Sequence, residues 1–549
     1  MSVRRLALLA ASLLLHTAAM APWQHVAAAW ICLVPLLLAL DGLSPRRAFL
    51  TGLLWGTAQI WLVCYWTAPA LAFYWEQPWW FGVAFLLVAS AIFVGIYYGL
   101  FALALVRLRR RFDGLPLALL TAALWVSIEL GQARLLGGDP WMLLGYALVP
   151  QPLWIQIADV GGVYLLSFVV ALINALVFLS VRRAQMGALL LAVAVLGAVG
   201  IYGWWRLGMR FPHQEPRRIA VVQGNNDPGA QWQSAAHGRG VDTYLRLTRE
   251  ALQSRPDLIV WPESAVTFFF ALETLHRDPI LRMVDAAGVE LILGAPHADT
   301  TQAERPRYFN SAFHVDAGGA ITARYDKVHL LPFAEYFPLQ TIALLRRRFE
   351  RVRSFTPGGE PQLLPSPLGP LAVAICFEGI FPELVRSHMA RGAGLLLNLS
   401  NDSWLGAGAG PEQHLAMVAL RAVEHRSWVI RATTTGVSAI VDPHGRVVQR
   451  SDTSTEAVLT QDVAAMHIDT LYEHLGESFA YACLLAVAIA LLRIYAANLN
   501  LPSRPVRIEL NCAPRYTARA SSSPHARRYS CDRLRPMPPS IGCQPRRLA

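Results

Sequence analysis

Apolar positions are nearly continuous from residue 1 to about 205, thin into an alternating pattern from about 206 to 475, and return over about 476–496. A helix of about 20 apolar residues suffices to cross a bilayer. Seven such stretches are predicted before the alternating region, at roughly 6–22, 25–41, 48–72, 79–106, 116–134, 152–181 and 186–205, and an eighth follows it. The first two are short for a crossing. "RRLALLAASLLL" begins like a secretion signal, but another apolar run follows almost at once, so this segment is expected to stay as a span.

The middle region has a different rhythm. Short runs rich in Val, Ile and Leu predict strands at 218–225, 257–264, 290–297, 309–316, 370–378, 395–402 and 429–442. Amphipathic stretches predict helices at about 239–254, 274–287, 381–391 and 411–426, and "DPHG" (442–445) predicts a tight turn closing a hairpin. The expected organisation is a membrane domain over 1–205, an exported α/β domain over 206–475, a final span over 476–497 and a tail over 498–549. The tail is rich in Arg, Ser and Pro without periodicity and is expected to be disordered.

Composition agrees with that division. Hydrophobic residues make up 54% of the 549 positions and charged ones only 15%, well short of a wholly soluble protein. The net charge of +11 is concentrated in loops and tail: Arg4 and Arg5, Arg46 and Arg47, the run Arg107–Arg111, Arg182 and Arg183, and the residues after 500. The alternate loops, "YWEQPWW" and "GQARLLGGDPW", hold little charge and several Trp. Under the positive-inside rule the basic loops share the cytoplasmic side, so seven crossings would deliver the α/β domain to the far side and the eighth would return the chain. Both termini are then cytoplasmic, and the basic balance needs no nucleic-acid partner.

The chemistry centres on Cys376, the only one of seven cysteines within 206–475. No CxxC or HExxH spacing points to a metal site, and no GxSxG elbow points to a serine hydrolase. A buried strand often holds a cysteine as a small hydrophobe. A lone thiol at a strand end, however, is also where reactive groups are displayed. A thiol needs a base to take its proton, and an oxyanion formed by its attack needs a cation. Glu263 in "WPES" and Lys327 in "YDKVHLLPF", each at a predicted strand end, can supply them. The apolar runs "VTFFFAL" and "LLPFAEYFPLQTIALL" that follow them are expected either to pack in the core or to rim the site and dip into a bilayer.

"WPES", "YDKVHLLPFAEY", "CFEGIFPE" and "LSNDSW", in that order and spacing, resemble the nitrilase or carbon–nitrogen hydrolase superfamily with its Glu–Lys–Cys triad. Set between a multi-span domain and one last helix, they are similar to its apolipoprotein N-acyltransferase family, over residues 1 to about 497. The resemblance implies a nitrilase-like α-β-β-α sandwich on a multi-span α-helical membrane domain. It implies Glu263 as general base, Lys327 at the oxyanion and Cys376 as nucleophile, with Glu335 and Glu378 as supporting carboxylates. Trp232, Phe377, Asn401 and Trp404 are candidate substrate contacts.

The implied reaction passes an acyl chain from a membrane phospholipid, through a thioester on Cys376, to the N-terminal amine of a diacylglyceryl-cysteine apolipoprotein. The implied place is a bacterial inner membrane with the catalytic domain periplasmic, and no metal or organic cofactor is expected. Phe377 stands where Tyr is frequent, and Thr434 where Asn is common. Two other readings are open at this stage. One is a membrane-tethered amidase using the same triad on a small C–N substrate. The other is a transporter or receptor with an inactive sensor domain, against which the few charges within the spans argue.

Overall fold

The computed structural model describes residues 2–135, 138–211, 215–226, 234–301, 306–332, 334–336 and 354–499. Among the described residues, five helices are long and apolar enough to cross a membrane: Trp79–Leu108, Gly114–Arg134, Ala158–Arg183, Met186–Leu207 and Ser478–Ala497. The pair Pro45–Val63 and Thr67–Phe73, bent by 67° at a short break, is a sixth candidate. The eight expected crossings are therefore not all met by length. Val3–Ala19 has only 17 residues, and the second apolar run is divided into Val26–Ala29 and Val34–Ala39. The expected span at 152–181 is interrupted too. Gly161 and Gly162 leave helical geometry, and a Cβ on Gly162 (φ +64°) would fall 2.6 Å from the ring of Tyr472.

The basic helix ends gather in one place. Arg5 donates to the carbonyl of Asp41 at 3.1 Å, Arg182 meets the Asp41 carboxylate at 2.9 Å, and Arg109 donates to the carbonyl of Leu37 at 3.2 Å. Arg183 pairs with Asp113. At the opposite end, the membrane helices meet the α/β domain. Asp159 pairs with Arg206 and, at 2.8 Å, with Arg426, and Gln156 donates to the carbonyl of His444 at 2.9 Å.

The α/β domain is built on two sheets. The first has six strands in the order β11-β1-β2-β3-β4-β5: β1 (Arg217–Gln223), β2 (Leu258–Val260), β3 (Glu290–Asp299), β4 (Arg307–Val315), β5 (Ile321–Asp326) and β11 (Ala457–Val463). The second has five in the order β10-β9-β8-β7-β6: β6 (Leu371–Ile375), β7 (Leu395–Ser400), β8 (Trp428–Thr433), β9 (Ala439–Val441) and β10 (Val447–Arg450). The predicted strand 429–442 is in fact β8 and β9, antiparallel and joined by a turn, and "DPHG" closes the following hairpin onto β10.

Two-residue alternation sorts the side chains of the first sheet into layers. Ile219, Val221, Leu258, Val260 and Ile292 face the core shared with the second sheet. Ala220, Val222, Ile259, Trp261, Leu291 and Leu293 face Tyr244, Leu245, Ile280 and Val284 of the helices Ser234–Ala251 and Thr274–Ala287. Beyond the second sheet lies the helix Ala409–His425, in which every residue except Glu412 is buried. Such a helix has no solvent face. It is held between β8 and β9 on one side and the membrane helix Ala158–Arg183 on the other, giving the expected α-β-β-α layering.

Candidate active site

Three strand ends converge. Cys376 follows β6 directly and holds φ at +53°, in the left-handed region where a non-glycine residue costs about 1–3 kcal/mol. Glu263 lies just past β2, and the next residue, Ser264, likewise has φ of +53°. Lys327 follows β5. Gly294 on β3 allows the Glu263 turn to close in, because a Cβ there would lie 2.5 Å from the Glu263 Cα.

The acid and the lysine belong to one buried cluster. Lys327 Nζ lies 2.9 Å from Glu335 Oε2 and 3.7 Å from Glu263 Oε1. Asn310 Nδ2 donates to both carboxylates at 2.7 Å each, and the Asn401 N–H donates to Glu263 Oε2 at 2.6 Å. Burial raises the Glu263 pKa, with Lys327 opposing and Glu335 adding to the rise. For Lys327, burial works against the charge, but Glu335 and Glu263 outweigh it and hold the ammonium well above its ordinary value. Burial also pushes the Cys376 thiol up, Glu263 adds to this, and Lys327 opposes it. A thiol so placed stays protonated until a base takes the proton as it reacts.

Glu378 has a different position. Its carboxylate accepts from the backbone N–H groups of Ile375 at 2.7 Å, Val328 at 2.7 Å and His329 at 2.9 Å, and from the Tyr325 hydroxyl at 3.0 Å. It thereby ties the turn carrying Cys376 to the strand end carrying Lys327, and burial lifts its pKa to about 7.

On the other side of the thiol lies a second polar group that the sequence reading missed. His414 places Nδ1 3.0 Å from Asp402 Oδ1 and Nε2 3.2 Å from the carbonyl oxygen of Cys376. Asp402 also meets Arg431 at 2.6 Å and accepts from Ser400 Oγ at 2.7 Å. Arg431 donates in turn to Asn398, which donates to the Cys376 carbonyl at 3.2 Å. Burial acts to raise the Asp402 pKa, yet Arg431 and His414 hold it well below the carboxylate range. Cys376, Asp402 and His414 offer ligand atoms within 4.8 Å of one another. A metal there would compete with Arg431 and Ser400, which already occupy the Asp402 oxygens. The available signal for this cluster was an Arg inside the apolar strand run "WVIRAT", since a charge in a buried strand needs a partner.

A cavity of about 490 Å³ opens onto Glu263, Lys327 and Cys376 and continues between membrane helices, past Trp66, Leu71, Phe85, Leu86 and Phe93. Phe377 lines it, with its ring 5.0 Å from that of Phe381. Asn401 and Trp404 also line it, and Trp404 stacks edge-on against Trp66 at 5.9 Å. Trp232 lies outside the described residues, as does most of "LLPFAEYFPLQTIALL" beyond Tyr336. The other apolar run does not make a rim. Phe268 and Phe270 are core residues of the first sheet's helical face; Phe269, stacked on Tyr308, and Leu272 are the exposed ones, and neither lines the cavity.

Residues 218–471 match the carbon-nitrogen hydrolase family and residues 12–176 match the apolipoprotein N-acyltransferase N-terminal domain. The apolipoprotein N-acyltransferase of Geobacter metallireducens is 35% identical over 474 residues, covering 84% of this chain and 89% of the relative. Those of Gloeobacter violaceus and Pseudomonas putida are 31% and 34% identical, covering 85% and 86% of this chain and 89% and 94% of theirs. Among solved structures, an amidase from Nesterenkonia sp. aligns with 50% of this chain and 98% of its own, at 20% identity and a TM-score of 0.38.

Proposed function

The chain belongs to the apolipoprotein N-acyltransferase family and is a membrane acyltransferase, and from that premise we propose that it acylates apolipoproteins by ping-pong chemistry through Cys376. The donor is a membrane phospholipid and the acceptor the N-terminal amine of a diacylglyceryl-cysteine apolipoprotein. The observation that carries this reading is the cavity, which joins Cys376, Glu263 and Lys327 to an apolar passage among the membrane helices. A small amide would not need that passage, whereas an acyl chain fills it with apolar surface removed from water.

In the first step Glu263 takes the thiol proton as Cys376 Sγ attacks the ester carbonyl. The oxyanion is stabilised by Lys327, held in place by Glu335 and prepaid by burial in a fixed cluster rather than by mobile water. Collapse breaks the ester C–O bond, Glu263 returns its proton to the departing lysophospholipid oxygen, and a thioester remains on Cys376. In the second step the acceptor amine attacks the thioester and gives its proton to Glu263. The amide forms, and the leaving thiolate recovers the proton. An apolar cavity keeps water from the thioester, which would otherwise hydrolyse.

The sidedness follows the charge. Arg5, Arg109, Arg182 and Arg183 lie together at one end of the helices, and the α/β domain meets the other. We place the basic end in the cytoplasm of a bacterial inner membrane, the catalytic domain in the periplasm and both termini inside. In this reading Val3–Ala19 and the broken 26–39 segment make one outward and return passage. That brings the passages before the domain to seven.

Intact-mass spectrometry of the purified protein incubated with phospholipid tests the chemistry. An acyl adduct on Cys376, discharged by a diacylated lipopeptide but slowly by water, is expected. Phospholipid turnover without any Cys376 adduct would overturn the proposal.

A further inference from the structure

The helix Ala409–His425 carries two consecutive polar side chains, about 100° apart around its axis, whose hydrogen bonds go to different domains, and neither belongs to the Glu–Lys–Cys set. Gln413 is fully buried and all its partners come from the membrane domain. Its Oε1 accepts from the indole N–H of Trp66 at 3.0 Å and of Trp141 at 2.9 Å. Its Nε2 donates to the carbonyls of Val63 at 2.7 Å and Ala21 at 2.9 Å. Val63 ends the helix Pro45–Val63, so the amide sits at the break of the bent pair and supplies a donor to a carbonyl that the interrupted helix leaves open. Trp66 and Trp141 are walls of the cavity.

His414 sends its hydrogen bonds into the α/β domain, to Asp402 and the carbonyl oxygen of Cys376, while its ring packs 5.8 Å from that of Trp141. Donating to both oxygens would take a proton on each ring nitrogen; burial and Arg431 oppose that charge and lower the His414 pKa, with Asp402 acting the other way. The side chains of His414 and Asn398 both donate to that carbonyl, and the residue carrying it is held at positive φ. Gly436 makes room for this arrangement, since a Cβ there would lie 2.3 Å from Asp402 Oδ2.

We propose that Gln413 and His414 are paired positioning residues, Gln413 shaping the wall that receives the donor's acyl chain and His414 fixing the nucleophile's turn. Each acts through other groups: Gln413 through Trp66, Trp141 and the helix break, His414 through the peptide of Cys376. The division rests on the donor being a phospholipid and the nucleophile being Cys376. Because the two side chains are neighbours on one helix but serve different domains, their loss should strike different kinetic quantities.

The test follows the first half-reaction in the full-length protein in phospholipid–detergent micelles, without acceptor, by the rate of adduct formation on Cys376. For Gln413→Leu, the half-saturating phospholipid concentration should rise about tenfold, with the rate at saturation within about twofold of the parent. For His414→Ala, the saturating rate should fall about tenfold or more, with half-saturation within about twofold. If either variant fails to fold, Gln413→Glu and His414→Asn are read the same way. Gln413→Glu keeps the acceptor for the two indoles but turns a carboxyl oxygen toward the Val63 and Ala21 carbonyls in place of a donor, so it too should raise half-saturation. Variants that shift the same quantity, or neither, overturn the pairing. A parent protein that forms no adduct overturns the thioester reading instead.

Discussion

Two polar clusters flank Cys376, and they differ in what they face. Glu263, Lys327, Glu335 and Asn310 open onto the cavity. Asp402, His414, Arg431 and Asn398 are sealed behind Cys376, with every side chain buried. On the open side the charges do not cancel. One lysine serves two carboxylates, so a proton can move there without stripping any group of its partner. On the sealed side Asp402 is saturated by Arg431, Ser400 and His414. A cluster open to the cavity and a sealed one can thus both combine carboxylate, cation and amide. What separates them is contact with the cavity and how fully the hydrogen bonds are used.

The sharpest way to break this comparison is at the nucleophile. Cys376→Ala should lower acyl transfer roughly ten-thousandfold or more and abolish the mass adduct, with the melting temperature little changed. Any residual transfer near the parent rate would remove the nucleophile from both clusters. Glu263→Gln should cost about a hundredfold or more in adduct formation. It should cost little stability, because Asn310 and the Lys327–Glu335 pair remain.

The sealed side should respond in the reverse order. Arg431→Met leaves Asp402 charged, buried and short of its strongest partner, a loss of about 3–5 kcal/mol of stability. Thermal unfolding in detergent would show it as a drop larger than that for Glu263→Gln. Equal drops would mean that the two clusters are not distinguished by saturation.

The parent's pH dependence sharpens the open side. Burial raises the Glu263 pKa, so its base form appears only above the ordinary carboxylate range. The acidic limb of adduct formation should therefore lie above about pH 4.3, with activity lost as pH falls through it. A limb at or below that value would assign the base elsewhere. The smallest effect is expected from Phe377→Tyr, which adds one hydroxyl at a ring that already lines the cavity. A change within about threefold in transfer rate is expected, and a larger one would make the ring position part of the chemistry.

Much of this was legible along the chain. Glu263, Lys327 and Cys376 stand at strand ends because strands are read from local runs of β-branched residues, and their ends from what interrupts them. Glu335 was placed with the lysine, and the two share a 2.9 Å contact. The resemblance marks Glu378 only as a supporting carboxylate, without saying what it supports. Its donors are backbone N–H groups of both neighbouring segments, so it supports the turn. Asn310 was missed because one Asn inside a strand carries no local mark of the two carboxylates that meet it from other strands. The bend after Val63 was missed for a similar reason: hydropathy counts apolar residues and is blind to a break held open by Gln413, some 350 positions later.

Hydrophobic periodicity and basic loops, both local in sequence, determined that this chain is a set of membrane helices carrying one α/β domain. Four short motifs with a single thiol among them determined the residue types of the site. Only the tertiary structure decided the rest. It determined which carboxylate faces the cavity and which anchors a turn, that Phe268 and Phe270 are core, and that His414 and Gln413 bind opposite domains. These are decided by contacts between segments far apart in the chain, where burial and the supply of hydrogen-bond donors fix what each polar group can do.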